Sequence, residues 1–236
     1  MADSSSGDGV LQRYRLNHQL HDAADAGDVV KLRQAIAAGA DVDASMNRPT
    51  PQHPQIDSLK MTPLCSVVRE DKVKENRAEE GRTACVRALL AAGASVSAAL
   101  VFLGDDVDHE FTALHSAAFA GLTTCCRLLL DAGADVNAPD KITSTTPLQF
   151  AVDGNRHRAV VLLLSRGATT DGCTGDFEEY YSPGYLSRIS SAGGFANYQK
   201  QQRAKLMAML APKMEHLLPP ELVSHVITFW AHLGWN

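Results

Sequence analysis

Between Thr112 and Ala138 the chain reads TALHSAAFAGLTTCCRLLLDAGADVNA, and its apolar positions follow a helical period broken at two glycines. Leu114, Ala117 and Ala118 share one face at i, i+3, i+4 spacing. The small alanines leave room for a neighbouring helix to approach closely. Gly121 permits a tight turn, beyond which Cys125, Cys126, Leu128, Leu129 and Leu130 form a wide apolar stripe. Gly133 closes that stripe, since a helix commonly stops at a residue free to take the left-handed conformation. Asp135 and Asn137 suit a turn into an extended finger. The pattern therefore predicts helices over 112–120 and 122–132, with Gly133 outside the second.

The same pattern recurs. The closing stretch Leu-Leu-x-x-Gly-Ala ends at Ala94, Ala134 and Ala168, and Ala35-Ile36-Ala37-Ala38-Gly39-Ala40 is its first copy. Upstream of each lies Leu20-His21, Thr62-Pro63-Leu64-Cys65, Thr112-Ala113-Leu114-His115 or Thr146-Pro147-Leu148-Gln149. Thr62 and Thr146 read as helix N-caps, each followed by Pro at the first helical position, where its missing donor is harmless. These motifs, recurring in phase, resemble the ankyrin repeat, whose signature is T-P-L-H-x-A at a period of about 33. Four units span about residues 18–172, with a first helix expected over 18–26. The resemblance implies an all-α solenoid of stacked helix pairs with projecting hairpin fingers. A unit of this kind cannot bury its faces alone and is stable only when stacked.

Departures from the period are informative. The closing glycines stand at 39, 93, 133 and 167, so the spacings are 54, 40 and 34. The first surplus enlarges the finger between Ala44 and Thr62 and the charged stretch Glu70 to Gly81, read as a solvated helical extension or loop. The second enlarges the finger Ala99–Glu110, where Leu100, Val101, Phe102 and Leu103 form a projecting apolar run. Such a run needs an internal pocket or a partner. Beyond Ala168, Gly193-Gly194 with Tyr198, Leu206, Met209 and Leu210 predict a degenerate fifth pair, roughly 183–192 and 195–211. The layout expected is a disordered tail over 1–10, a repeat domain over 11–211 and a C-terminal capping helix over 212–236. The segment LPPELVSHVITFW also resembles the opening helix of an F-box, which would make it a recruitment motif instead of a cap.

Composition narrows the chemistry. Of 236 residues 45% are apolar and 21% charged, ordinary for a globular chain, and the net charge of −5 disfavours coating a nucleic-acid backbone. Lys200, Arg203 and Lys205 are read as a solvated face, not a nucleic-acid contact. No apolar run reaches a membrane-spanning length of about 18 residues. The opening MADSSSGDGV lacks the basic and apolar regions of a secretory signal. Five Cys at irregular spacing suit reduced thiols, hence an intracellular setting, cytoplasmic or nuclear. The vicinal Cys125-Cys126 reads as buried core, with no C-x-x-C pair to hold a metal. Phosphate-loop, dinucleotide, zinc-protease and nucleophile-elbow motifs are absent, so neither catalysis nor a cofactor or metal is expected.

The resemblance implies a non-catalytic scaffold that binds a partner protein through finger tips and the exposed side of the first helices. Carried onto this chain, the helix positions are Asp25, Ala26, Arg69, Glu70, Phe119, Ala120, Asp153 and Gly154. The finger positions are Phe102, Leu103, Asp108, His109, Lys141 and Ile142. His115 and His21 are expected to bond backbone of neighbouring repeats, with Cys65 and Gln149 departing from that pattern. Asn137, after Asp135-Val136, also fits the pattern accepted by asparaginyl hydroxylases of such proteins. The chain is expected to be monomeric. An alternative function, substrate adaptor of a ubiquitin ligase, would use the F-box-like segment and ligase subunits as partners.

Overall fold

The computed structural model describes residues 5–47, 59–69, 79–103, 108–141, 143–170 and 184–214. The chain divides into two compact units, residues 1–168 with 172–175, and residues 169–171 with 176–236. The first unit holds four helix pairs. They are α1 (Ser5–Ala26) with α2 (Val29–Ala37), α3 (Pro63–Val68) with α4 (Glu79–Ala91), α5 (Ala113–Ala120) with α6 (Thr123–Asp131), and α7 (Pro147–Asp153) with α8 (His157–Ser165). First helices stack on first helices and second on second, which is the expected solenoid.

Local chemistry sets the boundaries. Thr62 Oγ1 accepts from Cys65 N and Thr146 Oγ1 from Gln149 N, with Pro63 and Pro147 opening α3 and α7. Asp28 caps α2 by accepting from Val30 N and Lys31 N, both at 3.1 Å. The four closing glycines all take positive φ, between 88° and 93°. Each precedes an alanine whose N–H reaches back to the Leu or Ala five residues earlier, at 3.0 Å in every repeat. A Cβ at any of these four glycines would meet nothing, so the backbone conformation alone selects Gly. The core repeats as well. Leu20 and Leu32, Leu64 and Leu89, Leu114 and Leu129, and Leu148 and Leu163 are buried pairs, one pair per repeat.

The fingers pair into a sheet, a feature that helical periodicity did not foretell. Strands β1 (Met46–Asn47), β2 (Leu59–Met61), β3 (Ala99–Leu103) and β4 (Asp108–Thr112) form a four-stranded antiparallel sheet in chain order. Val101 stands between Lys60 on one side and Glu110 on the other. The apolar run Leu100–Leu103 is thus an inner strand, its backbone engaged by both neighbours, and Leu100 is buried. β-branched and aromatic residues suit that place.

In the second unit α9 (Tyr185–Ser191) and α10 (Phe195–Met214) turn at Gly193 and Gly194, close to the expected 183–192 and 195–211. Ile189 and Phe195 are buried there, and Tyr185 meets Tyr198 edge-on at 5.6 Å between ring centres.

Helix α1 starts at Ser5, within the stretch 1–10 expected as a tail. Once residues 18–26 are packed, helix propagates backwards through LQRYRLNHQ, which holds no breaker, and on across Gly7 and Gly9, because extension is far easier than nucleation. Of the span 11–211 expected as a repeat domain, the four helix pairs lie in the first unit and the α9–α10 pair in the second. That last pair lacks both the Thr-Pro-Leu-His and the Leu-Leu-x-x-Gly-Ala motifs.

Candidate functional site

The first helices present three rows of equivalent positions. One row is His21, Cys65, His115 and Gln149, and all four are buried. His21 Nε2 donates to the Ala44 carbonyl at 2.7 Å and His115 Nε2 to the Thr145 carbonyl at 3.1 Å, each tying a helix to a finger as expected. Cys65 keeps the contact weakly, its Sγ donating to the Ala98 carbonyl at 3.6 Å. Gln149 Nε2 donates to Asp153 Oδ1 at 2.6 Å, one turn along its own helix.

His115 is neutral in this arrangement. Its Nδ1 accepts from Thr112 N at 3.2 Å, which leaves the proton on Nε2. Burial lowers its pKa from the ordinary value of 6.5. The folded state then binds fewer protons than the unfolded chain just below that value, so stability rises with pH there. Lowering the pH from 7 toward 5 should therefore reduce the thermal midpoint, and His115→Gln should flatten that slope. An identical slope in the variant would show that His115 contributes nothing to it.

The other two rows are Asp22, Ser66, Ser116 and Phe150, then Asp25, Arg69, Phe119 and Asp153. They lie on the side of the first helices away from the second helices, called here the inner face. Asp22 and Asp153 are exposed, whereas Asp25, Arg69, Ser116, Phe119 and Phe150 are half-buried. Phe150 sits at the centre of an aromatic set. Its ring meets Phe111 at 5.1 Å, His115 at 5.0 Å and Phe119 at 6.3 Å, all at steep interplanar angles. Edge-to-face pairs at such distances each add about 0.5–1.5 kcal/mol beyond burial. Phe119 is therefore part structural, and its ring is less open than its place after the paired alanines implies.

Neighbouring fingers and turns hold this region in register. Asp140 is 2% exposed and gathers its loop, its Oδ1 accepting from Thr143 N at 3.1 Å and Thr145 N at 2.7 Å. Lys141 Nζ then reaches Glu110 Oε1 on β4 at 2.6 Å, an exposed pair worth under about 1 kcal/mol. Arg156 Nε donates to the Phe119 carbonyl at 2.8 Å, bridging the third and fourth repeats. Gly154 packs on that same carbonyl, where a Cβ would stand 2.4 Å from the oxygen.

Of the positions singled out in the sequence, Asp25, Arg69, Phe119 and Asp153 align along the inner face, and Lys141 is exposed on its finger. Phe102 and Leu103 lie in β3, Asp108 and His109 in β4. Glu70 and Ile142 lie outside the described residues, as does the segment 215–236 with its F-box-like stretch. Ala120, at the end of α5, is only 5% exposed and so has little surface to offer a partner. Gly154 packs against the Phe119 carbonyl. Sequence reasoning passed over Phe111, Phe150, Asp140 and Arg156. Aligning Phe150 with Asp22, Ser66 and Ser116 would have marked it as an inner-face position.

The thiols are core residues. Cys65, Cys85, Cys125 and Cys126 are buried and in no disulfide. Desolvation pushes the first three up to about 11 and Cys126 higher still. A rise of about two pKa units leaves roughly a hundredfold less thiolate at pH 8. Mass spectrometry after iodoacetamide treatment should find these four unmodified in the native protein and modified in urea. Rapid native labelling at Cys125 would contradict a buried core there. Among the described residues no group of three or more His, Cys, Asp or Glu could hold a metal ion, and no helix is long and apolar enough to cross a membrane.

Comparison with curated protein sequences finds no match. A family profile described as ankyrin repeats (3 copies) matches residues 20–140 and, overlapping, 77–174. That span is more than half the chain and coincides with the four interlocked helix pairs, so this protein belongs to the ankyrin repeat family.

Proposed function

We propose that this chain, like ankyrin repeats in general a module of protein–protein interaction, is a non-catalytic scaffold that binds a partner protein through the inner face of its first helices and the adjoining fingers. The observation that carries this reading is the half-buried aromatic set Phe111, Phe119 and Phe150 on a face otherwise lined by Asp25, Arg69 and Asp153. Aromatic side chains on rigid helices lose little entropy on docking, and such residues dominate binding energy at interfaces. Asp108, His109 and Lys141 supply the finger part of the surface, with Phe102 and Leu103 beside them on β3. The α9–α10 pair is read as a degenerate fifth repeat. The adaptor reading rests on residues outside the described ones, and no observation favours it.

Proximity labelling with the intact chain, followed by pull-down with Phe119→Ser, tests the proposal. The variant should remain folded, losing about 1–2 kcal/mol through the Phe150 contact and lost burial. Capture of the leading partner should fall severalfold. Undiminished capture by a folded Phe119→Ser protein would remove the inner face from the binding surface.

A further inference from the structure

Charge is segregated between the two layers of the first unit. Helices α2, α4, α6 and α8 together carry six Lys and Arg against three Asp and Glu. Residues 18–26 of α1 with α3, α5 and α7 carry three acids, Asp22, Asp25 and Asp153, and no Lys or Arg. Arg69 follows α3 on this side, its Nη1 turned toward Met61 Sδ at 3.7 Å. The inner face thus has a sign opposite to that of the outer layer, beside the aromatic set.

The geometry at the third and fourth repeats is more specific. Gly154 packs against the Phe119 carbonyl, and Arg156 is bonded to it, so Phe119 and Asp153 occupy adjacent places on neighbouring helices. Gln149 Nε2 holds Asp153 Oδ1 at 2.6 Å and so orients the carboxylate, while the residue stays exposed. An oriented carboxylate beside a half-buried phenyl ring matches one side chain above others. A guanidinium is planar, stacks on an aromatic ring, and donates in a fork to a carboxylate, whereas an ammonium is compact and more strongly hydrated.

We infer that the partner of the inner face presents an arginine-bearing, basic and apolar segment, with one guanidinium seated between Phe119 and Asp153. This rests on the protein-binding reading above and names the chemistry that the surface selects.

The test uses fluorescein-labelled 12-residue peptides on a Gly/Ser host, each with two central Leu flanked by Arg, Lys or Glu, titrated into the full chain. Arg peptides should bind tightest, Lys peptides more weakly, and Glu peptides not measurably, with affinity falling as salt screens the charges. Asp153→Asn should weaken the Arg peptides by about tenfold, equivalent to 1.4 kcal/mol. Asp153→Arg should transfer the preference to Glu peptides, with circular dichroism checking that both variants are folded. Failure of every Arg peptide to bind at millimolar concentration would overturn the inference. So would Arg binding that neither Asp153→Asn nor Phe119→Ser weakens. Binding that ignores peptide charge but falls with Phe119→Ser would refute the arginine preference while leaving the protein-binding face intact. Loss of the face itself would show separately, as partner capture unchanged by Phe119→Ser.

Discussion

Replacing Leu129 by Ala should destabilise the first unit by about 2–5 kcal/mol, the range for removing a large buried aliphatic side chain without collapse of its site. Leu129 is fully buried on α6, in the third of the four repeats, and pairs in the repeating core with Leu114 of α5. Its carbonyl also receives Ala134 N at 3.0 Å, so the side chain and the helix stop lie together. Because each repeat is stable only through its neighbours, the loss should be felt on both sides of the third repeat. Urea denaturation followed by circular dichroism checks this. A midpoint equal to that of the parent protein would mean that the position is not a core position. Two separated transitions would show that the damaged repeat uncouples those flanking it.

A second large effect is expected at Gly154. Its φ is −76°, so alanine suits the local backbone. The obstacle is nonlocal, since a Cβ would meet the Phe119 carbonyl oxygen at 2.4 Å and its carbon at 3.1 Å. Backbone cannot swing aside as a flexible side chain can, so the third and fourth repeats must part. Overpacking of this kind commonly costs about 1–3 kcal/mol. Gly154→Ala should also stretch the Arg156–Phe119 bond and shift Asp153 against Phe119, so binding should fall beyond what stability explains. Measuring partner capture at a temperature where the variant is fully folded separates the two effects. Parent-like stability would mean that the two helices are farther apart than 2.4 Å implies.

These cases show where the chain was legible and where it was not. Helix starts at Thr62 and Thr146 and the stops at Gly39, Gly93, Gly133 and Gly167 could be read in advance, because each depends on residues within one repeat and local periodicity carries that information. The buried thiols were legible for the same reason, since Cys125 and Cys126 fall on the apolar stripe of their helix. The bonding of His21 and His115 between elements came only from the resemblance to the ankyrin repeat.

The remaining features needed the fold. Val101 has as strand partners Lys60 and Glu110, and Lys60 lies far along the sequence, so no pattern inside LVFL could show it as an inner strand. Arg156 binds the Phe119 carbonyl from 37 residues later, a bridge between repeats that no local spacing announces. Phe150 stands alone in its sequence window and becomes a binding candidate only when stacking brings Phe111 and Phe119 to its edges. By itself the sequence determined the repeat unit, its caps and its core leucines, because these follow from near-neighbour spacing and backbone preference. Only the tertiary structure decided which side chains converge on the inner face, because convergence between repeats depends on how rigid helices stack and not on any residue's neighbours in the chain.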